Sequence, residues 1–99
     1  MQTTTYLVTR HAGAVQWAAQ TGLHYDVHLP HLLTLEQLCK GDIVIGTLPI
    51  NMVCQLTQKG VRYMHLSLQI PSHLRGVELS AAQLEACHAT LQEFQVIMA

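Results

Sequence analysis

The stretch Gly41-Asp42-Ile43-Val44-Ile45-Gly46-Thr47-Leu48-Pro49 decides the fold of this chain. Residues 43–45 form an uninterrupted β-branched run, which is typical of a central parallel strand covered on both faces. Residues 46–49 end that run, and Pro49 suits the first turn of a helix that we expect to reach Lys59, with Gly60 terminating it. The stretch therefore predicts a buried strand followed by a helix.

The residues before this stretch show the same alternation of strand and helix. Tyr6-Leu7-Val8 lies in a Thr-rich segment that favours a strand, and residues 12–20 read as a helix that Gly22 closes. Between Leu23 and Leu29, apolar residues alternate with polar ones, which predicts a strand with one solvated face at a sheet edge. After Pro30, a short helix is expected up to residue 41, from leucines at 32, 35 and 38 and a capping box at 34 and 37.

The residues after the central strand complete the same pattern. Val61–Leu68 is predicted to be the fourth strand, and the Pro- and Gly-containing segment Gln69–Glu78 a loop. Ser80 is expected to cap a last helix whose apolar stripe holds Leu84, Cys87 and Leu91. The order predicts one α/β domain over residues 1–99, Rossmann-like, with a mainly parallel sheet of four strands or slightly more and helices on both faces.

Composition narrows the classes of partner. Of the 99 residues 49% are hydrophobic and only 11% are charged, so we expect part of the surface to be buried against a second copy, as a homodimer. With 5 Lys and Arg against 6 Asp and Glu, no diffuse positive field is available to hold long nucleic acid. The N-terminus has no basic region before an apolar run, and no apolar stretch approaches ~20 residues, which favours a soluble, cytoplasmic protein without membrane contact.

Three cysteines, Cys39, Cys54 and Cys87, are widely spaced within apolar patterns. Their odd number is unlike a disulfide framework, so we expect reduced thiols that act as small hydrophobes. Trp17 is expected to be a core or dimer anchor.

In an open parallel sheet, ligands bind outside the carboxyl ends of the strands, where helix N-termini present free N–H groups. Three segments are predicted to converge there: residues 9–13, residues 46–49, and the chain from Ser67 onward. Gly13 and Gly46 would let a ligand approach the backbone closely. Neither turn matches a dinucleotide fingerprint or a P-loop, so no nucleotide cofactor is implied.

Arg10 and His11 are the sharpest local feature of this edge. An arginine offers a permanent charge and forked donors to a phosphate, and a histidine moves protons near neutral pH. The alternative, weighted equally, is a helix-entry pair that caps the turn and forms salt bridges with Glu or Asp. Of the neighbouring candidates, His65 is expected to be a core histidine bonded to a neighbour, Ser67 to meet a ligand, and Arg75 to lie on the surface or close over an anion.

Metal and other catalytic chemistries are less well supported. His24, His28 and His31 invite a metal site, but no nearby Cys or spaced carboxylate completes a zinc set, so a solvated strand face is the preferred interpretation and no metal is predicted. Asp26 shares that face and is as suited to bonding a histidine as to catalysis. Paired carboxylates, a nucleophile elbow and a CxxC motif are all missing, which weakens glycosidase, serine hydrolase and redox interpretations.

Most of the chain resembles a small CRISPR-associated family of type III systems, the one numbered sixteen in the Csx series. The likeness is carried by blocks in the expected order, at residues 9–17, 41–49, 60–68 and 74–79: Thr-Arg-His-Ala-Gly-Ala-Val-Gln-Trp, Gly-Asp-Ile-Val-Ile-Gly-Thr-Leu-Pro, Gly-Val-Arg-Tyr-Met-His-Leu-Ser-Leu and Leu-Arg-Gly-Val-Glu-Leu. The family is similar to CARF sensor domains, Rossmann-like dimers that bind cyclic oligoadenylate at a shared two-fold axis. The segments 23–40 and after residue 80 inherit nothing from the resemblance.

The resemblance implies a stand-alone ring nuclease that destroys cyclic oligoadenylate, chiefly cyclic tetra-adenylate, and so switches off the antiviral response. No metal or cofactor is needed, because a ribose 2′-hydroxyl attacks its neighbouring phosphate and leaves a 2′,3′-cyclic phosphate. Arg10, His11 and Ser67 would be the catalytic residues. The ligand would also be bound by Thr9, Gly13, Gly46, Thr47, Leu48, Pro49 and Arg75.

Two rival functions stay open at this point. A CARF-like sensor or sponge would hold the ring without cutting it, with the same Arg and His. A structural subunit would use its polar strand-end residues only as caps, and would bind no nucleotide.

Overall fold

The computed structural model describes residues 3–32 and 34–99. In these residues the chain forms five strands, three α-helices and one short 3-10 turn: β1 (Thr5–Val8), α1 (Ala12–Gln20), β2 (Val27–Leu29), β3 (Ile43–Gly46), α2 (Ile50–Lys59), β4 (Arg62–Ser67), the 3-10 turn Ser72–Leu74, α3 (Ala81–Ala86) and β5 (Thr90–Phe94). None of the helices in the described part of the chain is long and apolar enough to cross a membrane.

The strands form one sheet in the order β2-β1-β3-β4-β5. The first four strands are parallel, and β5 runs antiparallel to β4. In the central strand β3, Val44 belongs to the apolar cluster on one face and Ile45 to the cluster on the other. The predicted α/β, Rossmann-like fold with a mainly parallel sheet, a central β3 and an edge strand β2 is therefore confirmed.

Helices cover both faces of the sheet, as predicted. On one face Val53 and Leu56 of α2 pack against Val44 and Tyr63. On the other face the residues of α1 and α3 pack against the sheet residues Leu7 and Ile45. Trp17 of α1 is buried there, and its indole Nε1 donates a hydrogen bond to Glu85 Oε1 at 2.7 Å, which ties α1 to α3 and confirms its place in the core.

The segment between β2 and β3 differs from the prediction, because no helix forms in residues 34–40. The Thr34 hydroxyl accepts a hydrogen bond from the Glu36 N–H at 3.2 Å, so it closes a tight turn instead of capping a helix at Gln37. Leu32 and Leu38 are still buried in the cluster under α2. A buried turn, and not a helix, therefore accounts for the spacing of these two leucines. Leu33, which belongs to the predicted helix, lies outside the described residues.

The second strand is also shorter than predicted, covering residues 27–29 instead of 23–29. It pairs only with β1, whose Tyr6 to Val8 lie opposite it. Just before it, the Asp26 carboxylate accepts a hydrogen bond from the Thr5 N–H at 2.8 Å, which lowers the pKa of Asp26. The Asp26 N–H also donates to the Thr5 carbonyl at 2.8 Å, so both the backbone and the side chain of Asp26 contact Thr5.

The C-terminal segment corrects the prediction in a third place. Ser80 and Gln83 form the predicted N-terminal cap as a capping box, but α3 ends at Ala86. His88 adopts a left-handed conformation (φ 58°) that reverses the chain, and Leu91 lies in β5 instead of on the helix. Leu91 still packs against the cluster that contains Leu84. The helix-like spacing of the two leucines therefore belongs to a helix followed by a strand.

The free cysteines follow the prediction in two of three cases. Cys54 and Cys87 are buried, whereas Cys39 is exposed on the turn before β3 and therefore is not a core residue. The predicted helix around Cys39 is absent, and with it the apolar face that would have buried the thiol.

A buried carboxylate fixes the start of the central strand. Asp42 is only 4% exposed, and its two oxygens accept hydrogen bonds from the backbone N–H groups of Thr4 and Cys39, each at 2.9 Å. Its own carbonyl accepts the Arg62 N–H at 2.8 Å. Asp42 thus connects the starts of β1, β3 and β4.

We expect Asp42→Ala to lower the free energy of unfolding by on the order of 2–4 kcal/mol, because it leaves two backbone N–H groups without their acceptor. Asp42→Asn retains one acceptor oxygen and should lose less. Urea unfolding followed by Trp17 fluorescence measures both losses. Equal stability of Asp42→Ala and the wild type would show that the carboxylate does not hold the strands together.

Candidate functional site

A cleft of about 500 Å³ lies at the carboxyl ends of β1, β2 and β3. Six residues predicted from the sequence line it: Thr9, Arg10, His11, Thr47, Leu48 and Pro49. Sequence reasoning missed further lining residues, among them His31 and Met52. The parallel sheet brings two of the three predicted segments together, since its strand ends share one edge.

The turn that carries Arg10 and His11 is held by its neighbours. The Thr9 N–H donates to the Leu29 carbonyl at 2.9 Å, and His28 Nε2 donates to the Thr9 carbonyl at 2.8 Å. The Thr9 hydroxyl accepts the His11 N–H at 3.1 Å. The backbone leading to His11 is therefore fixed on both sides by β2 and by its own threonine.

His11 forms a hydrogen bond with Glu78, a residue to which the sequence analysis gave no role. Nδ1 of His11 lies 2.9 and 3.0 Å from the two carboxylate oxygens of Glu78. Since an ionised carboxylate only accepts hydrogen bonds, this contact places the proton on Nδ1 and leaves the Nε2 lone pair available in the neutral imidazole. Nε2 has no hydrogen-bond partner among the described residues.

Neither of the two equally weighted interpretations of Arg10 and His11 describes the pair completely. His11 does contact a glutamate, which is a salt bridge when the imidazole is protonated, but its side chain does not cap α1. Arg10 is exposed at the cleft and makes no ion pair within residues 3–32 and 34–99. The sequence signal that could have indicated Glu78 is its place in the segment 74–79, which carries part of the family resemblance.

The two glycines of the predicted site are packed against other parts of the chain. A Cβ at Gly13 would lie 1.8 Å from the Leu79 carbonyl oxygen, and one at Gly46 would lie 2.7 Å from the Val8 carbonyl oxygen. Both glycines therefore let the backbone approach itself closely. Their contact with a ligand stays a prediction.

The Tyr63 hydroxyl supports the turn that follows β3. It accepts the Leu48 N–H at 2.9 Å and lies 3.1 Å from the Gly46 carbonyl and 2.6 Å from His65 Nδ1. Burial raises the pKa of Tyr63, and the hydrogen bond from Leu48 partly offsets this. The predicted bond between His65 and a neighbour is confirmed, and its partner is the tyrosine that shapes the cleft wall.

The sequence resembles that of one known protein family. Residues 6–97 match the model of a family described as "Putative CRISPR-associated protein (Cas_VVA1548)". The chain belongs to this CRISPR-associated family. A search of curated proteins found no match, and a search of solved structures found none either.

Two predicted site residues of this CRISPR-associated protein lie away from the cleft. The Ser67 hydroxyl donates to Gln92 Oε1 at 2.7 Å, across the β4–β5 pair. Arg75 follows the 3-10 turn and is exposed. Neither residue lines the cleft. Their roles in catalysis and ligand binding stay predictions.

The histidines near β2 have separate partners. His24 lies 3.1 Å from Asp26 Oδ1, His28 bonds the Thr9 carbonyl, and His31 lines the cleft. In the described part of the chain, no three His, Cys, Asp or Glu side chains are grouped so that they could hold a metal ion. Asp26, which the sequence left between two roles, binds His24 and the Thr5 N–H.

We expect Tyr63→Phe to lower the free energy of unfolding by about 1–3 kcal/mol, because the Leu48 N–H loses its acceptor in a partly buried place. Tyr6→Phe is the matched control, since Tyr6 packs against the same cluster and its hydroxyl has no hydrogen bond among the described residues. Thermal unfolding of both variants provides the measurement. Equal losses in the two variants would remove the Tyr63 hydroxyl from the support of the turn.

Proposed function

We propose that this CRISPR-associated protein is a ring nuclease that opens cyclic oligoadenylate, most simply cyclic tetra-adenylate, and thereby ends type III CRISPR signalling. The proposal includes membership of the family numbered sixteen in the Csx series. The observation that carries it is His11 at the cleft, with Nδ1 bonded to Glu78 and Nε2 open, directly after Arg10. This is the arrangement of a proton acceptor beside a phosphate-binding cation.

The reaction is an internal transesterification. Nε2 of His11 takes the proton of a ribose 2′-hydroxyl, and the 2′-oxygen forms a bond to the adjacent phosphorus. The bond from phosphorus to the 5′-oxygen breaks, and that oxygen takes a proton from the imidazolium. The products are a 2′,3′-cyclic phosphate and a 5′-hydroxyl, so atoms and charges balance. A positioned acid or base of this kind contributes roughly 10²–10⁴-fold.

Arg10 supplies the positive charge that the reaction needs. Its guanidinium can hold the two non-bridging oxygens of one phosphate and stabilise the charge that develops on them. The N-termini of α1 and α2 lie at the same edge, and the N–H groups of the first two residues of each helix have no backbone partner among the described residues. Arg10 and these N–H groups would therefore give the site a local positive potential, although the formal net charge of the whole chain is −1.

A ring of four phosphates exceeds what one Arg10 can bind, and a four-fold ring contains a two-fold axis. Two copies of the chain related by that axis would present two equivalent sets of Arg10, His11 and Glu78 to one ring. A homodimer is therefore part of the proposal.

The first test incubates the purified protein with cyclic tetra-adenylate in excess EDTA and follows the ring by chromatography and mass spectrometry. We expect linear products that end in 2′,3′-cyclic phosphate. An intact ring that elutes with the protein would instead identify a sensor or sponge. An intact ring that does not bind to the protein would support the third function, a structural subunit.

Variants of the three residues should separate their contributions. We expect His11→Ala to lower kcat by roughly 10²–10⁴-fold with binding largely kept, and Arg10→Ala to weaken both. In Glu78→Gln the amide can donate to Nδ1 and favour the other tautomer, so kcat should fall at least ~10-fold with little change in KM. Glu36→Gln, an exposed carboxylate outside the cleft lining, is the control. Wild-type turnover in both His11→Ala and Arg10→Ala would remove the pair from the mechanism.

A further inference from the structure

A second hollow adjoins the cleft, on the face of the sheet that α1 covers. This apolar cavity of about 270 Å³ lies between the sheet, α1 and the segment that follows β4. Leu7 and Ile45 of the sheet, Trp17 of α1 and Val77 and Leu79 of the segment form much of its wall.

The cavity and the cleft meet at polar residues. Thr9, His11 and Thr47 line both of them. A ligand group at this boundary is therefore next to the imidazole to which we assign the proton transfer. The two hydroxyls are the polar groups available at the boundary.

We propose that this cavity is the subsite for one adenine base of the ring, an inference that rests on the proposed function. Drug-sized ligands occupy pockets of roughly 300–1,000 Å³, so 270 Å³ suits a single ring system and not a whole dinucleotide. The wall is almost entirely apolar, which favours adenine, the nucleobase without a carbonyl group, since every unpaired polar group buried there costs free energy. The amino edge of the base faces Thr9 and Thr47.

The subsite is connected to the catalytic pair through three consecutive residues. Val77 and Leu79 wall the cavity, and Glu78 between them holds His11 Nδ1. The segment is anchored at one end, where the Leu79 carbonyl packs against Gly13. A base seated against Val77 and Leu79 therefore stabilises the position of Glu78, so that recognition of the base acts on turnover as well as on affinity.

Trp17 provides a direct readout, because it is the single tryptophan of the chain and lies in the cavity wall. The titration uses His11→Ala, which keeps the ring intact, and compares cyclic tetra-adenylate with cyclic tetra-uridylate. We expect the adenylate ring to change Trp17 emission and the uridylate ring to leave it nearly unchanged. Equilibrium dialysis on the same samples measures binding independently of fluorescence.

A cavity-filling variant tests the same idea through kinetics. Val77 is 49% exposed at the rim, so we expect Val77→Phe to fill the cavity without disturbing the core. Ile97→Phe is the control, because it makes the same aromatic substitution at a residue that is 79% exposed and lies outside the linings of the cleft and the cavity. We expect Val77→Phe to raise KM for cyclic tetra-adenylate at least tenfold and to lower kcat. Ile97→Phe should stay within about threefold of the wild type.

The outcomes separate the two proposals. Ring opening by the wild type, with unchanged KM in Val77→Phe and unchanged Trp17 emission, would overturn the base subsite and leave the nuclease standing. A Trp17 response to the adenylate ring without ring opening would support the subsite and overturn the nuclease. Dialysis that detects no binding of the ring would overturn both.

Discussion

The Asp42 carboxylate is the contact on which the alignment of the central strands depends. It is buried, and it accepts backbone hydrogen bonds from Thr4 and from Cys39. A buried carboxylate is tolerated only where donors surround it, and here the donors are the chain entering β1 and the turn entering β3. Alignment of these parallel strands at their amino ends also aligns their carboxyl ends. The cleft exists because those ends meet at one edge.

The opposite end of the sheet is shaped by close packing and one hydroxyl. Gly46 lets β3 approach Val8 of β1, and Tyr63 holds the turn after β3 through Leu48. Both contacts fix the backbone on either side of Thr47, and the Thr47 side chain stays exposed at the cleft. A site built on short, constrained turns keeps its geometry without a ligand, which reduces the ordering cost of binding.

The pair of His11 and Glu78 contributes orientation more than stability. The side chains are 52% and 62% exposed, and even a fully charged pair in such a position contributes only about 0–1 kcal/mol. The pair joins residues 67 positions apart in sequence, from the turn before α1 and the segment before α3. Because the same segment walls the apolar cavity, the chemistry of the cleft and the shape of the cavity depend on one short stretch of chain.

The sequence by itself determined the elements whose signals are local. The β-branched run 43–45, the bounds of α1, the glycine that ends α2 and the cap at Ser80 follow from side-chain sterics and from hydrogen bonds a few residues apart. It also placed residues 9–11 and 47–49 at one edge, because parallel strands share their ends.

Only the tertiary structure decided the features that join distant residues. Leu32 and Leu38 were buried by a turn, and Leu91 entered a fifth strand, because burial selects apolar positions whatever element presents them. The partner of His11 and the neighbours of Gly13 and Gly46 lie far along the chain or on another strand, where spacing carries no information. The sequence predicted Tyr63 to be an ordinary strand residue. Its role depends on the turn after β3, whose Leu48 N–H comes within hydrogen-bond distance of the Tyr63 hydroxyl only in the folded chain.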